Sequence, residues 1–113
     1  MSKKGTRILR TLPREKAFYF FTSIGNYTGE SASSLEEFKQ KINEVNMKCL
    51  EFHFHRRDFE KWIAEALEDN KLAENVRKLW RQRPTGDRLR IELHTTISER
   101  LSKLIDQSGT SQI

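Results

Sequence analysis

Cysteine, proline and long apolar runs are all scarce in this chain, and each shortage excludes something. The one cysteine, Cys49, has no intrachain disulfide partner, so packing alone must hold the fold and a reducing, cytoplasmic setting is expected. No apolar stretch approaches the roughly 18 residues of a spanning helix, and nothing of signal-peptide length follows Met1-Ser2-Lys3-Lys4-Gly5, so no membrane partner is expected. The two prolines mark boundaries: Pro13 in an extended opening segment and Pro84 at the end of a helical pattern. At 113 residues, the chain has room for one core.

A complete catalytic signature is also missing. Gly25-x-x-x-Gly29 lacks the Lys-Ser/Thr of a phosphate loop. The carboxylate pairs Glu36/Glu37, Glu51/Asp58 and Glu65/Asp69 read as caps and solvated faces. Cys49, between Lys48 and Leu50, reads as a small buried hydrophobe. His53 and His55 are the one hint of a metal site, with Cys49 or His94 as further ligands. In a strand they would share a face; in a helix they diverge by about 200° and cannot share an ion. The expectation is a hydrogen-bonded structural His53 beside an exposed His55, with no metal, no cofactor, no small-molecule substrate and no enzymatic activity.

What the chain has in excess is positive charge, net +5, and it is concentrated. Residues 1–17 carry Lys3, Lys4, Arg7, Arg10, Arg14 and Lys16 against Glu15 alone. Residues 77–90 carry Arg77, Lys78, Arg81, Arg83, Arg88 and Arg90 against Asp87, whereas 18–76 is net acidic. Clustered Lys and Arg attract polyanions by counterion release, and Arg forks onto phosphate. The opposing reading is a solvated tail plus helix ends that complement the macrodipole. Two blocks of one sign tip the balance toward nucleic acid.

Along the chain, residues 1–15 read as a flexible basic arm that orders on binding, with Ile8, Leu9 and Leu12 able to anchor part of it. Phe18-Tyr19-Phe20-Phe21 is too short for its period to separate strand from helix. Gly25-Asn26 and Gly29 signal loops. Ser34 and Glu37 form a capping box ahead of the stripe Leu35, Phe38, Ile42 and Val45. Leu50, Phe52 and Phe54 alternate as in a strand, but Met47, Leu50 and Phe54 also fit a helix opened by Asn46. Asp58 reads as an N-cap for Phe59, Trp62, Ile63, Ala66 and Leu67; a further helix carries Leu72, Val76, Leu79 and Trp80. Trp80 sits in a packing position with basic neighbours that make its edge a candidate contact. The last helix has a long seam of Leu89, Leu93, Ile97, Leu101, Leu104 and Ile105, suited to the core or to a homodimer contact. The predicted fold is mainly α, with a single helical domain over 16–107 and a frayed tail over 108–113. The alternative is α+β with short strands at about 18–22 and 48–55.

Tyr27-Thr28-Gly29, Ser34-Leu35-x-x-Phe38, Leu50-Glu51-Phe52-His53, Asp58-Phe59-x-x-Trp62-Ile63 and Leu72-Ala73 together resemble a small domain-of-unknown-function family of archaea and bacteria. The resemblance covers about residues 18–76, implies a mainly helical domain with helix around His53, and carries no activity. The family usually has Gly where Arg57 and Glu68 stand, which implies that the turns there are reshaped or use ordinary dihedrals.

The leading expectation is a non-enzymatic basic protein that binds structured RNA, with the ribosome or a ribosomal subunit as favoured target and a homodimer bridging particles as an extension. The alternatives are a protein-interaction or regulatory module that meets its partner through the acidic middle and, third, a DNA-binding protein.

Overall fold

The computed structural model describes residues 7–109. Within them a 3-10 turn, Arg14–Lys16, leads into a β-hairpin of β1 (Phe18–Ser23) and β2 (Asn26–Ala32). Five α-helices follow: α1 (Leu35–Glu44), α2 (Met47–His55), α3 (Asp58–Glu65), α4 (Asn70–Gln82) and α5 (Gly86–Gly109). The mainly helical expectation holds, and the aromatic run at 18–21 is a strand. Its period is visible in the burial: Phe18 and Phe20 point inward while Tyr19 is exposed. The strands join through Ile24-Gly25, where Gly25 adopts φ +81°, a backbone state open to glycine at no steric cost. The pairing is irregular, with register shifts on both sides of Phe21.

A strand over 48–55 is overturned. Cys49, Leu50, His53 and Phe54 are the buried residues there, which is helical spacing, and Asn46 Oδ1 accepts the N–H of Lys48 at 2.8 Å to open the helix. The Ser34 box forms: Glu37 N–H donates to Ser34 Oγ at 3.1 Å, and Glu37 Oε1 accepts from the N–H of Ser33 at 2.6 Å. Asp58 does not cap α3. It is the first helical residue, and its carboxylate faces His53 and Arg56 instead. Asp69 caps α4, accepting from Leu72 N–H at 3.1 Å.

The expectation of ordinary dihedrals at Arg57 and Glu68 is also corrected. Both keep left-handed geometry, φ +67° and +62°, which costs an L-residue about 1–2 kcal/mol. Side-chain contacts offset part of that: Arg57 lies over the Trp80 ring, and Glu68 accepts from Arg7 and Arg10.

The core is centred on Phe18, whose ring lies 4.8 Å from Phe20, 5.7 Å from Phe38, 5.2 Å from Phe59 and 5.6 Å from Trp62. All four are edge-on or tilted pairs, the arrangement the ring quadrupole favours over a face-to-face sandwich. Leu89, Leu93, Ile97, Leu101 and Leu104 are all buried in the same cluster. The seam therefore faces the chain's own core and is not open to a second copy, while Ile105 at its end is about half exposed.

The arm differs from expectation as well. Ile8 and Leu12 are core residues, Leu12 N–H bonds the Ser33 carbonyl at 2.7 Å, and Trp62 Nε1–H bonds the Lys16 carbonyl at 2.8 Å. From Arg7 onward the segment is part of the domain. At the other end α5 continues to Gly109, so the expected frayed tail over 108–113 is corrected at residues 108 and 109, and its remainder, residues 110–113, lies outside the described residues. Among the described residues no helix is long and apolar enough to cross a membrane.

Candidate nucleic-acid interface

Of the twelve basic residues singled out by sequence, Lys3 and Lys4 lie outside the described residues. The rest do not converge. Arg7 and Arg10 both pair with Glu68, at 2.9 and 3.3 Å, in the turn between α3 and α4. Arg10 also donates to the Ala66 carbonyl at 3.0 Å. The Glu68 carboxyl is held below its usual range by the Arg7 guanidinium bonded to it, and Arg7 is raised in turn. Arg14 and Lys16 are exposed on the 3-10 turn. Arg81 and Arg83 sit at the opposite end of α4, about 20 Å away at 1.5 Å per residue.

Within the second block, three cations are already engaged. Arg77 pairs with Glu74, Arg88 with Glu92 at 3.1 Å, and Arg90 donates to the Ile42 carbonyl at 2.9 Å, tying α5 to α1. Lys78, Arg81 and Arg83 are exposed, and no carboxylate pairs with them among the described residues. Lys78 and Arg81 share a helix face at i, i+3. Arg83 follows in a left-handed C-cap conformation, φ +56°.

Sequence reasoning missed the residues that complete this end. The α2–α3 turn brings Arg57 to Trp80, with Cζ 4.5 Å from the ring centroid, while Trp80 Nε1–H points at the His55 carbonyl at 3.4 Å. Arg56, Arg57, Lys61 and Arg77 line one cleft of about 480 Å³ between α3 and α4. Its acids are occupied: Glu60 accepts twice from Arg57, and Glu74 pairs with Arg77. Lys61 has no such partner among the described residues. The signal in the sequence was the Arg56-Arg57 pair, hidden inside a segment whose net charge is negative.

The two histidines separate, as helical spacing requires. His53 is buried; its Nε2 accepts the Phe21 N–H at 2.8 Å, so Nδ1 carries the proton and donates to Asp58 Oδ2 at 2.8 Å. Burial lowers its pKa, against the opposing pull of the Asp58 carboxylate. His55 is exposed on the other side of α2. The described residues contain no cluster of three or more His, Cys, Asp or Glu placed to hold a metal ion. Cys49 is fully buried and its thiol is pushed up to about 11 by that burial, so it stays a neutral hydrophobe.

These features define a class: a small, mainly helical domain, packed on an aromatic hairpin, with one end of its α3–α4 pair left strongly basic. The chain belongs to the family of unknown function DUF5752, whose profile matches residues 13–111. The likeness carried by residues 18–76 thus extends over most of the chain. Comparison with curated proteins and with solved structures gave no match.

Proposed function

We propose that this domain binds RNA through the basic end of α4, as a cytoplasmic, non-catalytic partner of an abundant RNA assembly such as a ribosomal subunit. The observation that carries the reading is the set Lys78, Arg81 and Arg83, exposed and without carboxylate partners among the described residues, with Arg83 lining a cleft beside Trp80, over which Arg57 lies. Point charges on one helix face suit phosphates spaced along a backbone, and such contacts give affinity without reading sequence. The first basic block has a different role in this account: Arg7 and Arg10 fasten the opening segment to Glu68. One chain suffices, because the α5 seam is internal.

The test is a salt series of binding to purified ribosomal subunits and to a structured RNA. For the wild type, the logarithm of affinity should fall linearly with the logarithm of salt. Replacing Lys78, Arg81 and Arg83 together by Ala should flatten the slope by about 2–3. Replacing Arg7 and Arg10 should leave it nearly unchanged. Salt-insensitive binding, or a triple variant that binds like wild type, ends the proposal.

A second reading has its own observation. A groove of about 450 Å³ lies between the hairpin and α2–α3, with Phe21, Phe52 and Trp62 in its lining and Ile24 at its rim. Ile24 is 83% exposed and Tyr27 47%. Apolar exposure on this scale is what the interaction-module alternative needs. Under that reading, partner capture persists at high salt and is lost on Ile24→Asp.

A further inference from the structure

Arg57 is held in an uncommon backbone state, φ +67°, which a non-glycine residue adopts at a cost. Its side chain has two partners. Nε and Nη2 each donate to a different oxygen of Glu60 at 3.2 Å, and the guanidinium carbon sits 4.5 Å from the centroid of Trp80. The guanidinium lies over the indole with one edge on the carboxylate, yet the side chain remains 44% exposed.

The charge of Arg57 is largely balanced by Glu60, which makes it a poorer phosphate anchor than Lys78, Arg81 or Arg83, which have no carboxylate partner among the described residues. What the residue retains is a flat, rigid, weakly hydrated surface already backed by an aromatic ring. Guanidinium planes and aromatic rings are the two surfaces on which unpaired bases stack in RNA-binding proteins. Because Arg57 is already immobilised, a ligand would have little side-chain ordering to impose on it. The phosphate-holding groups are on hand: Lys61 and Arg77 line the same cleft as Arg57, and Arg83 lines a neighbouring one with Trp80 and His55.

We infer that Arg57, stacked on Trp80, is a platform for one unpaired RNA base, so that the basic end takes single-stranded or looped RNA in preference to duplex. This rests on the RNA-binding reading and narrows it. A paired base is already stacked between its neighbours and offers no free face, so a duplex would meet only the cations.

The experiment compares a short oligouridylate with a single central adenosine, the same strand with an abasic site at that position, and a duplex of equal length. Wild-type protein should bind the adenosine strand about tenfold more tightly than the abasic strand, the size of one base stack. Arg57→Lys keeps the charge and removes the plane; it should abolish the preference while leaving the salt slope unchanged. Arg57→Gly removes the plane and relieves the backbone, so it should lose the preference without a lower melting temperature. Equal binding of adenosine and abasic strands by wild type, a preference that survives in Arg57→Lys, or a duplex bound as tightly as the adenosine strand would overturn the platform. Those results leave RNA binding intact, whereas no salt-dependent binding to any of the three ligands removes the underlying reading as well.

Discussion

The ring of His53 joins β1 to the start of α3: it accepts the Phe21 amide proton on Nε2 and donates from Nδ1 to Asp58, each at 2.8 Å. A proton on Nε2 would set N–H against N–H, so this link exists only for the neutral imidazole. The surroundings agree. Phe18, Phe20 and Phe59 from the core and Phe52 from α2 are packed against the ring, and burial outweighs the help that Asp58 gives the charged form.

Stability should therefore depend on pH in a defined direction. His53 is depressed in the folded state relative to about 6.5 in an unfolded chain, so the unfolded state takes up the proton first. The stabilisation is complete above pH about 6.5 and declines as pH falls from there toward the folded value. Urea midpoints at pH 7.5 and 5.5 should differ more for wild type than for His53→Gln, which retains an acceptor and does not titrate. Equal shifts in the two proteins would mean that other groups set the acid sensitivity.

Asp69 and Arg100 make a two-point ionic contact 31 residues apart, with the carboxylate buried. Arg100 Nε and Nη2 donate to the two carboxylate oxygens, at 2.9 and 3.0 Å, and Asp69 is only 1% exposed. The pair fastens α5 to the α3–α4 turn. Arg100→Ala leaves a buried carboxylate without its counterion and should cost about 3–5 kcal/mol. Denaturant titration of Arg100→Ala and of Asp69→Asn measures it; a loss under ~1 kcal/mol in Arg100→Ala would show that solvent reaches the site.

Cys49 should behave as an inert thiol. It has no exposed surface, and with a pKa near 11 it carries almost no thiolate at neutral pH. Iodoacetamide at pH 8 should modify the native protein far more slowly than protein in urea. Comparable rates in both would place the side chain at the surface.

Much of the helical outline was legible because its signals are local. Ser34 with Glu37, and Asn46 ahead of Lys48, act within four residues, and apolar stripes recur every three or four. The hairpin was ambiguous because four aromatics in a row carry no readable period until burial separates Phe18 and Phe20 from Tyr19. Asp58 was misassigned because a capping residue and a partner for a buried histidine look alike in sequence. The candidate site was half visible. Lys78, Arg81 and Arg83 could be picked out by charge, whereas Arg57 and its ring could not, since 23 positions separate Arg57 from Trp80.

Composition and short-range pattern were enough for the helical periods, the Ser34 and Asn46 caps, the lone cysteine and the overall basic balance, since each depends on residue counts or on residues within a turn of one another. The tertiary structure decided which cations are free. Arg7 meets a carboxylate 61 residues away and Arg90 a carbonyl 48 residues away, and such partners are chosen by how packed elements align. Positive charge is counted along a chain, but the field it presents depends on where the core brings the opposite charges.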